Sequence, residues 1–109
     1  MRIINSEMLV SHGNVSMRTD AIRILESGLA ACDPYENTRK LVRLDGYTLT
    51  IGGREFEPIK DPDSGIEQYD IRSFAHIYVV GAGKGVQLVG KALEETLGQW
   101  LTGGELICK

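Results

Sequence analysis

The stretch that decides the fold is His76-Ile77-Tyr78-Val79-Val80, followed at once by Gly81-Ala82-Gly83-Lys84-Gly85. The first five residues are largely β-branched and apolar, the composition of a strand buried on both faces of a parallel sheet. Glycines after such a strand permit a tight turn and let backbone come close to a ligand or a neighbouring element. From about Lys84 to Leu101 the spacing predicts a helix, with Leu88, Val89, Ala92, Leu93 and Leu97 on its inner face. Thr102-Gly103-Gly104 should break it, and Glu105 to Cys108 begins another strand. Strand, glycine turn, helix and strand make the building block of a doubly wound sheet. The fold class expected is therefore α/β, with the start of a Rossmann-like sheet.

Two helices and a β-hairpin are expected before it. Ala21, Ile22, Leu25, Leu29 and Cys32 recur at three-to-four spacing, which predicts a helix over about Val15 to Cys32 with one buried face. Asn14 or Ser16 can cap its start. Asp33-Pro34 stops it, because the residue before a proline avoids the helical region. The same pair can open a second helix, with Asp33 as N-cap and Pro34 in the first helical position. That helix should run to about Arg43, bury Leu41 and Val42, and end near Asp45-Gly46. Tyr47, Leu49 and Ile51 alternate with Thr48 and Thr50, the period of a half-buried strand. Gly52-Gly53 is the expected two-residue turn, with Arg54 to Glu57 returning as the second strand and Phe56 inward. Asp61 to Arg72 reads as a loop.

The chain has 109 residues, 42% of them hydrophobic and 25% charged, which fits one ordinary globular domain or part of one. Twelve basic and 15 acidic residues leave a formal charge of −3, with no basic stretch to hold nucleic acid. Cys32 and Cys108 form no CxxC pattern, which argues against a zinc site or a disulfide framework. They are expected to be buried small hydrophobes in a reducing compartment. Residues 1 to 10 are too short and polar for a signal peptide, and no apolar run approaches membrane-spanning length. No membrane partner is expected, and the expected location is the cytoplasm.

Chemistry concentrates at Gly81 to Gly85. Amides at the start of the following helix point outward with a partial positive charge, so an anion fits there. A lysine in the first turn opposes the helix dipole by about 0.3–1 kcal/mol, a cost that a bound anion reverses. The competing reading of Lys84 is an ammonium reaching into water. Neither named nucleotide motif is met. GxGxxG would need glycine where Val86 stands. GxxxxGK[ST] would need glycine at Tyr78 and a hydroxyl at Gly85. His12 and His76 are expected to be structural. Asp61-x-Asp63-x-Gly65 is not a calcium loop, since its glycine falls one residue early and its twelfth position is Arg72. No metal ligands are expected.

Val79-Val80-Gly81-Ala82-Gly83-Lys84 and its amphipathic helix resemble the amino-terminal domain of the glycerate 2-kinases, the family with a MOFRL-type carboxy-terminal domain whose members are often labelled hydroxypyruvate reductase. Ser11-His12-Gly13-Asn14, the helix to Ala31, Asp33-Pro34-Tyr35 and Leu41-Val42 resemble the family's opening segment. Ala92-Leu93-Glu94-Glu95 and Leu97-Gly98 resemble its continuation. The likeness covers nearly the whole chain, with Asp61 to Arg72 less familiar.

The resemblance implies phosphoryl transfer from ATP, with Mg2+, to the 2-hydroxyl of D-glycerate, in a cleft between two domains. It implies that Lys84 matches the family's motif lysine and holds a substrate carboxylate or a transferred phosphate, with Gly81, Ala82, Gly83 and Gly85 completing the anion site. Such chemistry is mostly positioning and charge neutralisation, which suits a lysine beside helix amides. Gly85 stands where the family usually has a small residue such as alanine, which weakens the helix start. The family's second glycine-rich segment, much of its nucleotide site and its second domain have no counterpart in residues 1–109. The chain therefore reads as the amino-terminal portion of that domain, inactive alone.

Two other readings stand beside the kinase. An NAD-dependent hydroxypyruvate reductase would also use a glycine turn after a buried strand, although Val86 opposes it. A non-catalytic interaction module would use the raw edge and uncovered face of a partial sheet. Self-association, or pairing with the remainder of the enzyme, is the expectation for partners.

Overall fold

A computed structural model describes residues 2–56 and 65–109. The chain divides into two units, Met1–Asp33 and Pro34–Lys109. The first holds α1 (Ser6–Val10), which the sequence did not announce, and α2 (Val15–Ala31). The Asn14 side chain accepts from the Met17 amide at 3.0 Å, so Asn14 is the N-cap of α2. Glu26 on α2 accepts from the amides of Arg2 and Ile3 at 3.0 and 2.6 Å. The expected buried face of α2 is not observed. Of its five residues only Ile22 is half-buried, while Ala21, Leu25, Leu29 and Cys32 are exposed. A helix buries a face only where a neighbour covers it, and the single short turn of α1 covers little.

The second unit starts as expected, with α3 (Pro34–Leu41). The hairpin, however, comes earlier than expected. Strands β1 (Val42–Asp45) and β2 (Thr48–Ile51) pair antiparallel, with Asp45 opposite Thr48. The turn is Gly46-Tyr47, with φ +60° at Gly46 and no positive φ at Tyr47, the pattern of a type II′ hairpin turn. Residues 42–45 read as helix end because Leu41 and Val42 are adjacent apolars. Their actual period is two, with Val42 and Leu44 half-buried and Arg43 and Asp45 exposed. Gly52-Gly53 is not the hairpin turn, and Arg54–Phe56 is a 3₁₀ turn with Phe56 exposed. Glu57 lies outside the described residues, as do Asp61 and Asp63 of the loop. The later part of that loop contains β3 (Glu67–Asp70), antiparallel to β2 and exposed along its length. A strand without an apolar face leaves no alternation to read.

The deciding stretch and the residues after it form β4 (Tyr78–Ala82), α4 (Val86–Leu97) and β5 (Gly103–Ile107), with β4 and β5 parallel. The fold is α/β. The boundaries moved. β4 starts two residues late, and α4 is shorter than expected and passes into a 3₁₀ turn at Gly98–Trp100. Gly103-Gly104 belongs to β5 rather than to a break. Ala92 and Leu97 of α4 are buried, Val89 and Leu93 half-buried, and Leu88 points out.

β4 is not covered on both faces. Val79 is half-buried towards α4, while Tyr78 and Val80 on the opposite face are 63% and 80% exposed. Their apolar character is real, but among the described residues α4 is the element that packs most closely on the β4–β5 pair. The core joins Leu49, Ile71 and Leu97, with Val42, Leu44, Ile51, Ile77, Val79, Trp100 and Leu101 around them. Both cysteines are exposed, contrary to expectation, because Cys32 ends the thinly covered α2 and Cys108 follows the edge strand β5.

Candidate functional site

The turn between β4 and α4 is built by three different demands on its glycines. At Gly81 the demand is space, since a Cβ would stand 2.7 Å from Val86 Cγ2 and 3.4 Å from Leu106 Cδ2. At Gly83 it is conformation, because φ is +134° although nothing lies within 4 Å of a Cβ there. Gly83 also donates its amide to the Ile107 carbonyl at 3.0 Å, extending the β4–β5 ladder by one rung. Gly85 is the N-cap of α4 and, having no side chain, supplies no capping acceptor.

The consequence is a helix end open to a ligand. The amides of Val86, Gln87 and Leu88 precede the first helical bond, from Val89 to Gly85. No acidic residue occupies the first turn of α4. Ala82, Gly83, Lys84 and Gly85 are all exposed, and Gly81 is half-buried. Lys84 stands outside the helix, one residue before the N-cap, and not in the first turn as expected. Among the described residues its ammonium enters no ion pair. A flexible cation beside uncapped amides with partial positive charge is an arrangement that attracts an anion.

Val86 answers the dinucleotide question physically. In the GxGxxG turn the third glycine lets helix and strand approach closely. Here the Val86 side chain occupies that place against Gly81.

One neighbour of the turn was not legible in the sequence. The Pro34 ring lies beside Gly85, with Pro34 Cγ 3.7 Å from where a Cβ would be. α3 is tied to α4 by a polar cluster around Glu95. The Tyr35 hydroxyl donates to the Glu95 carboxylate, Arg39 donates to the Tyr35 hydroxyl at 3.0 Å, and Arg39 and Lys91 pair with Glu95 at 3.4 and 3.9 Å. The Tyr35 hydrogen bond holds the Arg39 pKa above its ordinary value, aided by the charge of Glu95. Residues sixty positions apart gave no local signal of this contact.

Each histidine lies within its own unit. His12 is exposed between α1 and α2. His76 precedes β4, tilted against the Tyr78 ring at 6.0 Å between centroids. Among the described residues no three His, Cys, Asp or Glu side chains come together to hold a metal ion. Among those residues no helix is long and apolar enough to cross a membrane.

A parallel strand–glycine turn–helix–strand unit with an uncapped helix start defines a small α/β domain. Residues 20–109 match the family described as Domain of unknown function (DUF4147), and the chain belongs to that family. No curated protein and no solved structure was found to match the chain.

Proposed function

We propose that this chain is the amino-terminal part of a glycerate 2-kinase, whose complete form transfers a phosphoryl group from ATP to the 2-hydroxyl of D-glycerate in the cytoplasm. The observation that carries the reading is the uncapped amino end of α4 beside Lys84, in a chain belonging to a family whose domain is associated with glycerate kinase-like proteins.

In this reading the amides of Val86 and Gln87 and the Lys84 ammonium hold one anionic group, either the glycerate carboxylate or a phosphate. Gly83 and Gly85 keep the approach free of side chains, and Gly81 lets the helix start sit close over the strand. Lys84 neutralises charge on the bound group and need not transfer a proton. Among the described residues no three His, Cys, Asp or Glu side chains come together, and no Mg2+ ligand is assigned to this chain. No step here runs through that ion.

The test is ATP-dependent phosphorylation of D-glycerate by the complete gene product that contains this chain. Turnover is expected. Lys84→Gln should lower kcat/KM by about 10²–10³-fold, with Lys84→Arg recovering part of the loss. A folded, complete protein with no glycerate phosphorylation would sink the proposal.

A further inference from the structure

The glycine turn has little to hold it from within. Gly83 takes a φ of +134° with nothing within 4 Å of a Cβ, and Gly85 sits outside the helix at φ −93° and ψ 1°. Glycine backbone gives up more freedom on ordering than any other, so such a turn keeps one shape only where a neighbour fixes it. Among the described residues, and apart from those next to it in the chain, the one group within 4 Å of a Cβ at Gly85 is the Pro34 ring, with Cγ at 3.7 Å and Cβ at 4.0 Å. Pro34 opens α3 and has no N–H, so this contact presents only carbon to the turn.

α3 and α4 lie start beside start, Pro34 against Gly85, so amino ends of like partial charge adjoin and gain nothing from each other. The hold comes from further along. The Glu95 carboxylate accepts from the Tyr35 hydroxyl, and Arg39 and Lys91 pair with the same carboxylate. Both cations also lie over the Tyr35 ring, 5.7 and 5.4 Å from its centroid. An exposed ion pair alone is weak. Here three partners converge on one carboxylate, and the ring that two of them cover belongs to the residue after Pro34.

We propose that α3 is a brace for the glycine turn. Tyr35, Arg39 and Lys91 fix α3 to α4 through Glu95, and the Pro34 ring then holds Gly85 and the adjoining Lys84 where the anion binds. Tyr35 and Glu95 are positioning residues, acting on the anion only through Pro34. The proposal rests on the reading of the turn as an anion site and adds the residues that order it. Ordering the turn before the ligand arrives removes an entropic cost from binding, and the effect therefore falls on affinity.

Inorganic phosphate is titrated into the chain and followed by the NMR amide signals of Gly83, Gly85 and Val86. Tyr35→Phe keeps the ring, removes the hydroxyl and should raise the phosphate dissociation constant about fivefold. Pro34→Ala removes the bracing ring itself and should do the same. The double variant should bind no more weakly than either single one, because both changes break one connection. Glu95→Gln leaves an oxygen to accept from Tyr35 and should lose less affinity than Glu95→Ala. Nuclear Overhauser effects between the Pro34 ring and the Gly85 Hα protons should weaken in Tyr35→Phe and Glu95→Ala, while urea midpoints show both variants folded. Unchanged phosphate affinity in Tyr35→Phe, or effects that add in the double variant, would overturn the proposal. If the unmodified chain binds no phosphate, the anion reading fails by itself. The Overhauser effects then decide the brace, which falls if Tyr35→Phe leaves them intact.

Discussion

Gly104 and Gly28 show how differently one residue type behaves in two environments. A Cβ on Gly104 would run into the Val79 carbonyl oxygen across the β4–β5 ladder, where only backbone movement can make room. Gly104→Ala should therefore cost about 1–3 kcal/mol, as overpacking does. Gly28 lies within α2, exposed, with nothing within 4 Å of a Cβ. Gly28→Ala should stabilise α2 by about 0.5–1 kcal/mol through helix propensity. Urea midpoints of the two variants check the opposite signs. The sequence signalled that glycines cluster around Lys84. It did not distinguish Gly81, which makes room for Val86, from Gly83, which supplies a backbone angle. That distinction needs the helix and both strands in place.

At the scale of elements, the 3₁₀ turn at Ile71–Ser73 has a polar lock of its own. The Arg72 guanidinium donates to both Asp70 carboxylate oxygens, at 3.0 and 2.8 Å, and the Arg72 amide donates to Oδ1 at 3.0 Å. These bonds, the guanidinium first, hold the Asp70 pKa below its ordinary value of 3.8. A carboxylate depressed by folding adds stability that is complete above the unfolded-state value. That stability is lost as pH falls through the lower folded-state value. The difference in urea midpoint between the unmodified chain and Asp70→Asn should therefore be constant near neutrality and shrink below about pH 3.8. A difference that stays constant into acid would mean the ion pair does not hold the turn. The position matters because Ile71, fully buried, follows Asp70 directly. The sequence showed this segment only as a loop, since Glu67-Gln68-Tyr69-Asp70 becomes a strand by pairing with β2 and not by burying a face.

For the molecule as a whole, the buried hydrophobic residues among those described, Leu49, Ile71, Ala92 and Leu97, lie in the unit Pro34–Lys109. α1 and α2 bury none. Residues 34–109 alone should therefore unfold cooperatively in urea, with a midpoint close to that of the full chain, followed by circular dichroism. A fragment without a cooperative transition would show that the first unit contributes to the core's stability. The same distribution explains why the periodicity of α2 misled. Ala21, Ile22, Leu25 and Leu29 are spaced for burial, but spacing states only that a face is apolar, and not that a neighbour covers it.

The deciding stretch, 76–85, and the residues after it carried their own strand, turn and helix. β-branched content, glycines and three-to-four spacing are local properties, and they suffice to specify a parallel strand–helix–strand unit and the lysine beside its helix end. The sequence also located the start of α3 at Pro34, where ring geometry acts on the chain directly. Tertiary structure alone decided the rest. It set the hairpin register at Gly46-Tyr47, the β3 strand, the approach of Pro34 to Gly85 and the one-sided cover of β4. Each of those depends on which groups meet across long separations in the chain, and no local pattern of residues records such a meeting.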